Sequence, residues 1–122
     1  MSYTIDWEKV AQEQVVPEGR YPARIDKADV RVSKEGGNPY LNIEFTLTEE
    51  PLTGRKVWSV FMLEPRALWK LRNLLVALGY PVQGTSDFEP TDLIGQEVGI
   101  VVTHEEYQGQ LRARANTFYS LR

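Results

Sequence analysis

The stretch Tyr40-Leu41-Asn42-Ile43-Glu44-Phe45-Thr46-Leu47-Thr48 decides how the rest of this chain is read. Leu41, Ile43, Phe45 and Leu47 alternate with Tyr40, Asn42, Glu44, Thr46 and Thr48, and a period of two places the two sets on opposite faces of a β-strand. Glu50-Pro51-Leu52-Thr53-Gly54 supplies the residues of a turn. Arg55 to Leu63 then forms a strand that is apolar on both sides, with Val57, Phe61 and Leu63 on one face and Trp58, Val60 and Met62 on the other. One face fills a core; the other needs a cover.

Towards the N-terminus the same period continues with a break in it. Tyr21, Ala23 and Ile25 are apolar at alternate positions, and Ala28, Val30 and Val32 continue in the opposite phase. An inserted residue near Asp26-Lys27 produces that flip, and such a β-bulge lets one strand bend and serve both halves of a barrel. Ser33-Lys34-Glu35-Gly36-Gly37-Asn38 is a turn-rich loop. Residues 1–18 read as an acidic appendage, in which Asp6 caps a helical turn to about Gln14 and Pro17-Glu18-Gly19 turns the chain into the domain at 19–122.

Towards the C-terminus the period changes to that of a helix. Pro65 starts it, Gly79 and Pro81 stop it, and Leu68, Leu71, Leu75 and Leu78 form its stripe, with Arg66, Lys70, Arg72 and Asn73 outside. Trp69 lies off the stripe and is read as a packing residue. After a turn at Thr91-Asp92-Leu93-Ile94, a strand from about Glu97 to His104 points Val98, Ile100 and Val102 inward. Glu105 to Gly109 is expected to be a hairpin loop. The last strand, from Gln110 to about Tyr119, alternates Leu111, Ala113 and Ala115 with Arg112, Arg114 and Asn116. The order is β-β-β-α-β-β, which predicts a mainly β fold: a five-stranded barrel of the oligonucleotide/oligosaccharide-binding (OB) type, its helix closing one end. A β-sandwich would leave the helix without a place to pack.

Composition narrows the function. The 122 residues contain no cysteine and one histidine, so thiolate metal sites are excluded and a zinc site would need several carboxylates around His104. No cofactor is expected. There is no basic stretch followed by an apolar run at the N-terminus and no apolar run near 18 residues, so the cytoplasm is the expected compartment and no membrane partner is implied. The formal charge is −3, but residues 1–18 hold four acids against one base, which leaves the remaining 13 acids and 13 bases balanced. A neutral domain can bind a polyanion if its bases share a face. No phosphate-cradling Gly-rich loop or nucleophile elbow is present, and His104 with Glu105 and Glu106 lacks an orienting partner, so an enzyme is not expected. A nuclease accessory role would call for clustered acids that are not seen.

Sequence-tolerant binding of single strands needs aromatic faces for stacking and cations along the backbone path. Lys34 in the first loop, Tyr40 at its exit, Arg55, Lys56 and Trp58 on the third strand, Tyr107 on the last hairpin, and Arg112 and Arg114 on the non-core face of the last strand fall where an OB barrel binds its ligand. Trp58 could equally pack under the N-terminal segment, and Arg112 and Arg114 could be a solvated face. Tyr40 and Tyr107, aromatics at loops, are the more telling pair.

Pro17 to Ala23, Ser33-Lys34 with Gly37-Asn38-Pro39, Gly54-Arg55-Lys56-Val57-Trp58, Leu93 to Val98 and Glu105 to Gly109 resemble a family of small bacteriophage proteins. Members are typically encoded among replication and recombination genes. Over residues 17–119 the resemblance implies an OB-fold single-stranded DNA-binding protein, acting in phage replication or recombination inside the bacterial cytoplasm. Its implied partners are single-stranded DNA and replication or recombination proteins, with a homodimer as open as a monomer. Many single-strand binders end in an acidic recruiting tail, whereas this chain ends Tyr119-Ser120-Leu121-Arg122, so recruitment by such a tail is not expected. The alternative reading is an OB-barrel adaptor for a recombinase or host factor, using the same exposed aromatics.

Overall fold

A computed structural model describes residues 2–5, 15–34, 36–84 and 88–121 of the chain. The helical turn expected from Asp6 to Gln14 lies outside the described residues. Among the described residues five strands, β1 (Gly19–Val32), β2 (Pro39–Leu47), β3 (Lys56–Met62), β4 (Glu97–Tyr107) and β5 (Gln110–Tyr119), give a mainly β fold, with one α-helix, α1 (Trp69–Leu78), between β3 and β4. The strands close in a ring in the order β1-β2-β3-β5-β4. Neighbours are antiparallel except for β3 and β5, which meet in parallel at a single bridge, Trp58 to Arg114.

The break in the period of β1 is a bulge. Its register to β2 shifts between Ile25 and Lys27 and leaves Asp26 without a partner. Before the bulge β1 pairs with β4 over Gly19–Arg24; beyond it, β1 continues against β2 alone, to Val32 opposite Pro39. The inserted residue keeps apolar side chains on the inner face through the bend, since Ala23, Ile25 and Ala28 are all buried.

The alternation of β2 is realised fully on the inner face, where Leu41, Ile43, Phe45 and Leu47 are buried, as are Val57 and Phe61 of β3 and Val98, Ile100 and Val102 of β4. Phe118 of β5 stacks between Phe45 and Phe61, with ring centroids 5.8 and 5.6 Å away. Gly99 faces Tyr119 in the β4–β5 ladder, and a Cβ there would stand 2.2 Å from the Tyr119 ring. Only glycine admits that ring. Val16 also belongs to the core, and His104 holds it there. Its Nε2 lies 2.7 Å from the Val16 carbonyl, which can only accept, so Nε2 carries the hydrogen.

Four details differ from the sequence reading. Leu111 is half exposed rather than core, because β4 and β5 run past the ring as a free hairpin arm that closes on two residues, Gln108 and Gly109, both with positive φ. Tyr107 therefore ends strand β4 instead of lying in a loop. Leu68 is exposed and Leu74 is buried beside Leu71. Pro65–Ala67 form a 3-10 turn, whose three-residue period takes Leu68 out of register with the helix stripe. Trp69, read as a packing residue, is 62% exposed on the solvent side of α1.

Phe45→Ala should lower unfolding free energy by about 3–5 kcal/mol, because the ring is wholly enclosed and its loss leaves a cavity. Leu111→Ala should cost less than about 1 kcal/mol. Urea unfolding of both variants checks the register, since a one-residue slip would reverse the order.

Candidate nucleic-acid interface

Residues directly opposite in a ladder share a face, so the strand registers assemble the outer surface row by row. Lys27, Glu44, Trp58 and Arg114 form one row across β1, β2, β3 and β5. Asp29, Asn42 and Val60 form the next, and Arg31, Tyr40 and Met62 the one beyond. On the other side of the Trp58 row lie Arg24, Thr46 and Lys56. This face carries cations, the acid Asp29 and two aromatics, Trp58 and Tyr40, with Glu44 sunk beneath them and buried.

A cavity of about 530 Å³ opens on it, lined by Val15, Val16, Arg31, Asn42, Arg55, Lys56, Trp58, Val60, Arg112, Ala113 and Arg114. Five of these are cations and none is an acid, so the lining is electropositive. A second cavity, of about 620 Å³, shares Arg55, Lys56 and Trp58 and continues along the β2–β3 turn at Pro51, Leu52, Thr53 and Gly54. Together they make a groove from the β4–β5 arm, over Trp58, to that turn. Trp58 is 42% exposed, which leaves part of its indole open to the groove.

The cations are held in different ways. Arg114 donates from Nε to Glu105 Oε1 at 3.0 Å. The Arg112 guanidinium stacks over the Tyr107 ring, 4.8 Å from its centroid. Arg31 pairs loosely with Asp29 at 3.6 Å, both more than half exposed. Lys56 donates to Asp26 at 3.1 Å and to Thr46 Oγ1 at 2.6 Å. Asp26, the bulge residue, also accepts from the Thr46 hydroxyl and from Arg24 Nε at 2.7 Å. The Arg24 hydrogen bond above all, then those from Thr46 and Lys56, hold the Asp26 carboxyl far below the usual carboxylate range.

Of the eight residues singled out in the sequence, Arg55, Lys56, Trp58, Arg112 and Arg114 line the groove together. Tyr40 shares the same face, one row beyond Asn42. Tyr107 stands at the end of β4, half exposed, and orients Arg112. Lys34 is exposed in the β1–β2 loop and lines neither cavity. Arg31, Asn42, Val60 and the pair Val15–Val16 line the groove without having been singled out. For Arg31 the signal was present: it lies in the phase opposite to Val30 and Val32, beyond the bulge. Among the described residues no three His, Asp or Glu stand together in a way that could hold a metal ion. No helix there is long and apolar enough to cross a membrane.

Residues 3–117 match the model of a family described as "Protein of unknown function (DUF669)", and the chain belongs to that family. No curated protein matches it significantly.

The bulge network makes a pH prediction. A carboxylate whose folded-state pKa is depressed contributes stability above its unfolded pKa, near 3.9, and loses it as pH falls below that. Wild type should therefore exceed Asp26→Asn in stability at neutral pH, by about 1 kcal/mol or less because the site is partly solvated. The gap should narrow below about pH 4. Denaturant titrations of both proteins from pH 7 to pH 2 check this, and a gap independent of pH would show that the carboxylate charge is not what the network uses.

Proposed function

We propose that the ring is an OB-type barrel and that the protein binds single-stranded DNA without strong sequence preference, as a bacteriophage replication or recombination factor in the host cytoplasm. The observation that carries this is the groove itself: an exposed indole with five lining cations and no lining acid. Stacking on Trp58 is open to every base, and the guanidinium groups of Arg31, Arg55, Arg112 and Arg114 match phosphates along a backbone. Open sides suit a polymer that enters and leaves laterally. Binding of this kind holds strands unpaired and needs no turnover, metal or cofactor.

Fluorescence anisotropy of labelled oligothymidylate, duplex DNA and RNA, each over a range of salt, tests the proposal. Stacking of one base on an aromatic contributes roughly 1–3 kcal/mol, so Trp58→Ala should weaken oligothymidylate binding about 5- to 150-fold with little change in salt dependence. Arg112→Ala should instead reduce the slope of log affinity against log salt by about 0.7, the value for one phosphate contact on a single strand. Arg114→Ala should reduce it by no more than that, since Glu105 already faces its guanidinium. Absence of binding at about 50 mM salt would overturn the assignment. A salt-insensitive complex with a recombination protein, and none with DNA, would favour the adaptor reading.

A further inference from the structure

A second surface, separate from the groove, is built on the solvent side of α1. The spacing of Trp69, Arg72, Asn73 and Val76 places them on one helix face, opposite the buried Leu71 and Leu74. Trp69 is 62% and Val76 50% exposed, and Leu68, at the start of the helix, is exposed as well. Helical surface positions ordinarily take strong helix formers, so neither Trp69 nor Val76 is accounted for by the fold. A cavity of about 320 Å³ adjoins the face, lined on its other side by Thr117, Phe118, Tyr119 and Ser120 at the C-terminal end of β5. The groove uses Arg112 and Arg114 in the N-terminal half of the same strand.

Within α1 and the 3-10 turn that precedes it charge has one sign, with Glu64 standing at the N-terminal end of that turn. From Pro65 to Leu78 the chain carries Arg66, Lys70 and Arg72 and no acid. Lys70 is turned inward, donating to the Val60 carbonyl at 2.8 Å and lying over the Phe61 ring. Arg66 and Arg72 are exposed, and among the described residues neither makes an ion pair. The cavity lining contains Arg72 and no carboxylate. The first acid on the far side, Glu97, lines a neighbouring cavity beyond Ala77.

We infer that this face docks an acidic peptide segment of a partner protein, whose carboxylates pair with Arg66 and Arg72 while an apolar side chain enters the cavity between Val76 and β5. Unpaired cations beside an exposed aromatic and an apolar recess call for that combination of charge and shape. A nucleic acid fits less well. Trp69 is the one exposed ring here, since Phe118 is buried and Tyr119 is half-buried with the Arg20 guanidinium over it, so with two available cations there is no repeating path for stacked bases, and the recess is shaped by Val76, Ala77 and Phe118. Docking here would leave the groove open, so a partner and a bound strand could occupy the molecule together.

The probe is a short, labelled synthetic peptide of Asp and Glu residues with one phenylalanine, titrated into the full chain at low salt. Controls replace the phenylalanine by serine or the acids by their amides. Wild type should bind the parent peptide and lose it to both controls. Trp69→Ala and Arg72→Glu should each weaken binding about tenfold or more, equivalent to 1.4 kcal/mol. Oligothymidylate affinity should stay within about twofold. Both substituted side chains are exposed, so unchanged unfolding midpoints should show that the fold survives. No binding by wild type, or equal binding by the variants, would overturn the inference. So would a loss of oligothymidylate affinity in the variants, which would make the helix part of the nucleic-acid path. Self-association of wild type that both variants abolish would make the occupant a second copy and overturn it as well. The peptide measurement does not depend on the groove: if wild type bound no DNA, the titration would still be read in the same way.

Discussion

Four of the five junctions in the ring are antiparallel ladders of six or more paired positions, and the fifth, between β3 and β5, is one parallel bridge at Trp58 and Arg114. Backbone hydrogen bonding cannot hold that seam, and side chains take its place. The Ser59 hydroxyl, buried on β3, donates to the Ala115 carbonyl on β5. Lys70 reaches from α1 to the Val60 carbonyl, which would otherwise face the opening unpaired. Beneath them Phe61 and Phe118 stack across the gap and Phe45 completes the cluster, so that apolar burial draws the two strands together. Holding Lys70 there is costly. Burial of its ammonium pushes its pKa down to about 8, with Glu105 opposing and Arg114 reinforcing the shift.

The groove exists because this seam closes. Trp58 and Lys56 belong to β3, Arg112 and Arg114 to β5, and between the two strands the chain runs through α1 and β4. Open the ring and the aromatic separates from two of the five cations, Arg112 and Arg114. The antiparallel ladders on either side of the seam supply acidic partners: Glu105 of β4 holds Arg114, and Asp26 of the bulge holds Lys56. These acids fix the direction of each cation before any ligand arrives, which reduces the ordering cost of binding, but a phosphate must compete with them. Moderate, salt-sensitive affinity is the compromise that the proposed function expects of such a groove.

The strands and the bulge were legible because period two is unambiguous where one face is buried, as in Leu41 to Leu47, and because a phase flip has few other causes. The helix ends were legible from Pro65 and Gly79. What the sequence concealed came from irregular geometry. Nothing in Pro65-Arg66-Ala67 distinguishes a 3-10 turn from the first turn of an α-helix, so the position of Leu68 was misplaced by part of a turn. The length of the β4–β5 arm depended on a two-residue turn at Gln108-Gly109, which a longer loop would have matched equally well in composition. Five of the eight site residues converge because β3 and β5 meet, a long-range pairing that local pattern does not encode. Lys34, chosen for its loop, stands apart because the groove runs towards the β2–β3 turn instead. The ion pairs that restrain Lys56 and Arg114 involve partners distant in sequence or across a hairpin, and charge counting alone treats such cations as available.

Heteronuclear NMR of the full chain during addition of oligothymidylate is the most direct measurement of whether the closed seam forms the binding surface. The Trp58 indole and the backbone amides of Lys56, Trp58, Arg112 and Arg114 should shift together and saturate at one common ligand concentration, while those of Trp69 and Val76 on α1 should stay in place. Shifts confined to α1, or to one side of the seam, or no shifts at all while the protein remains folded, would contradict it.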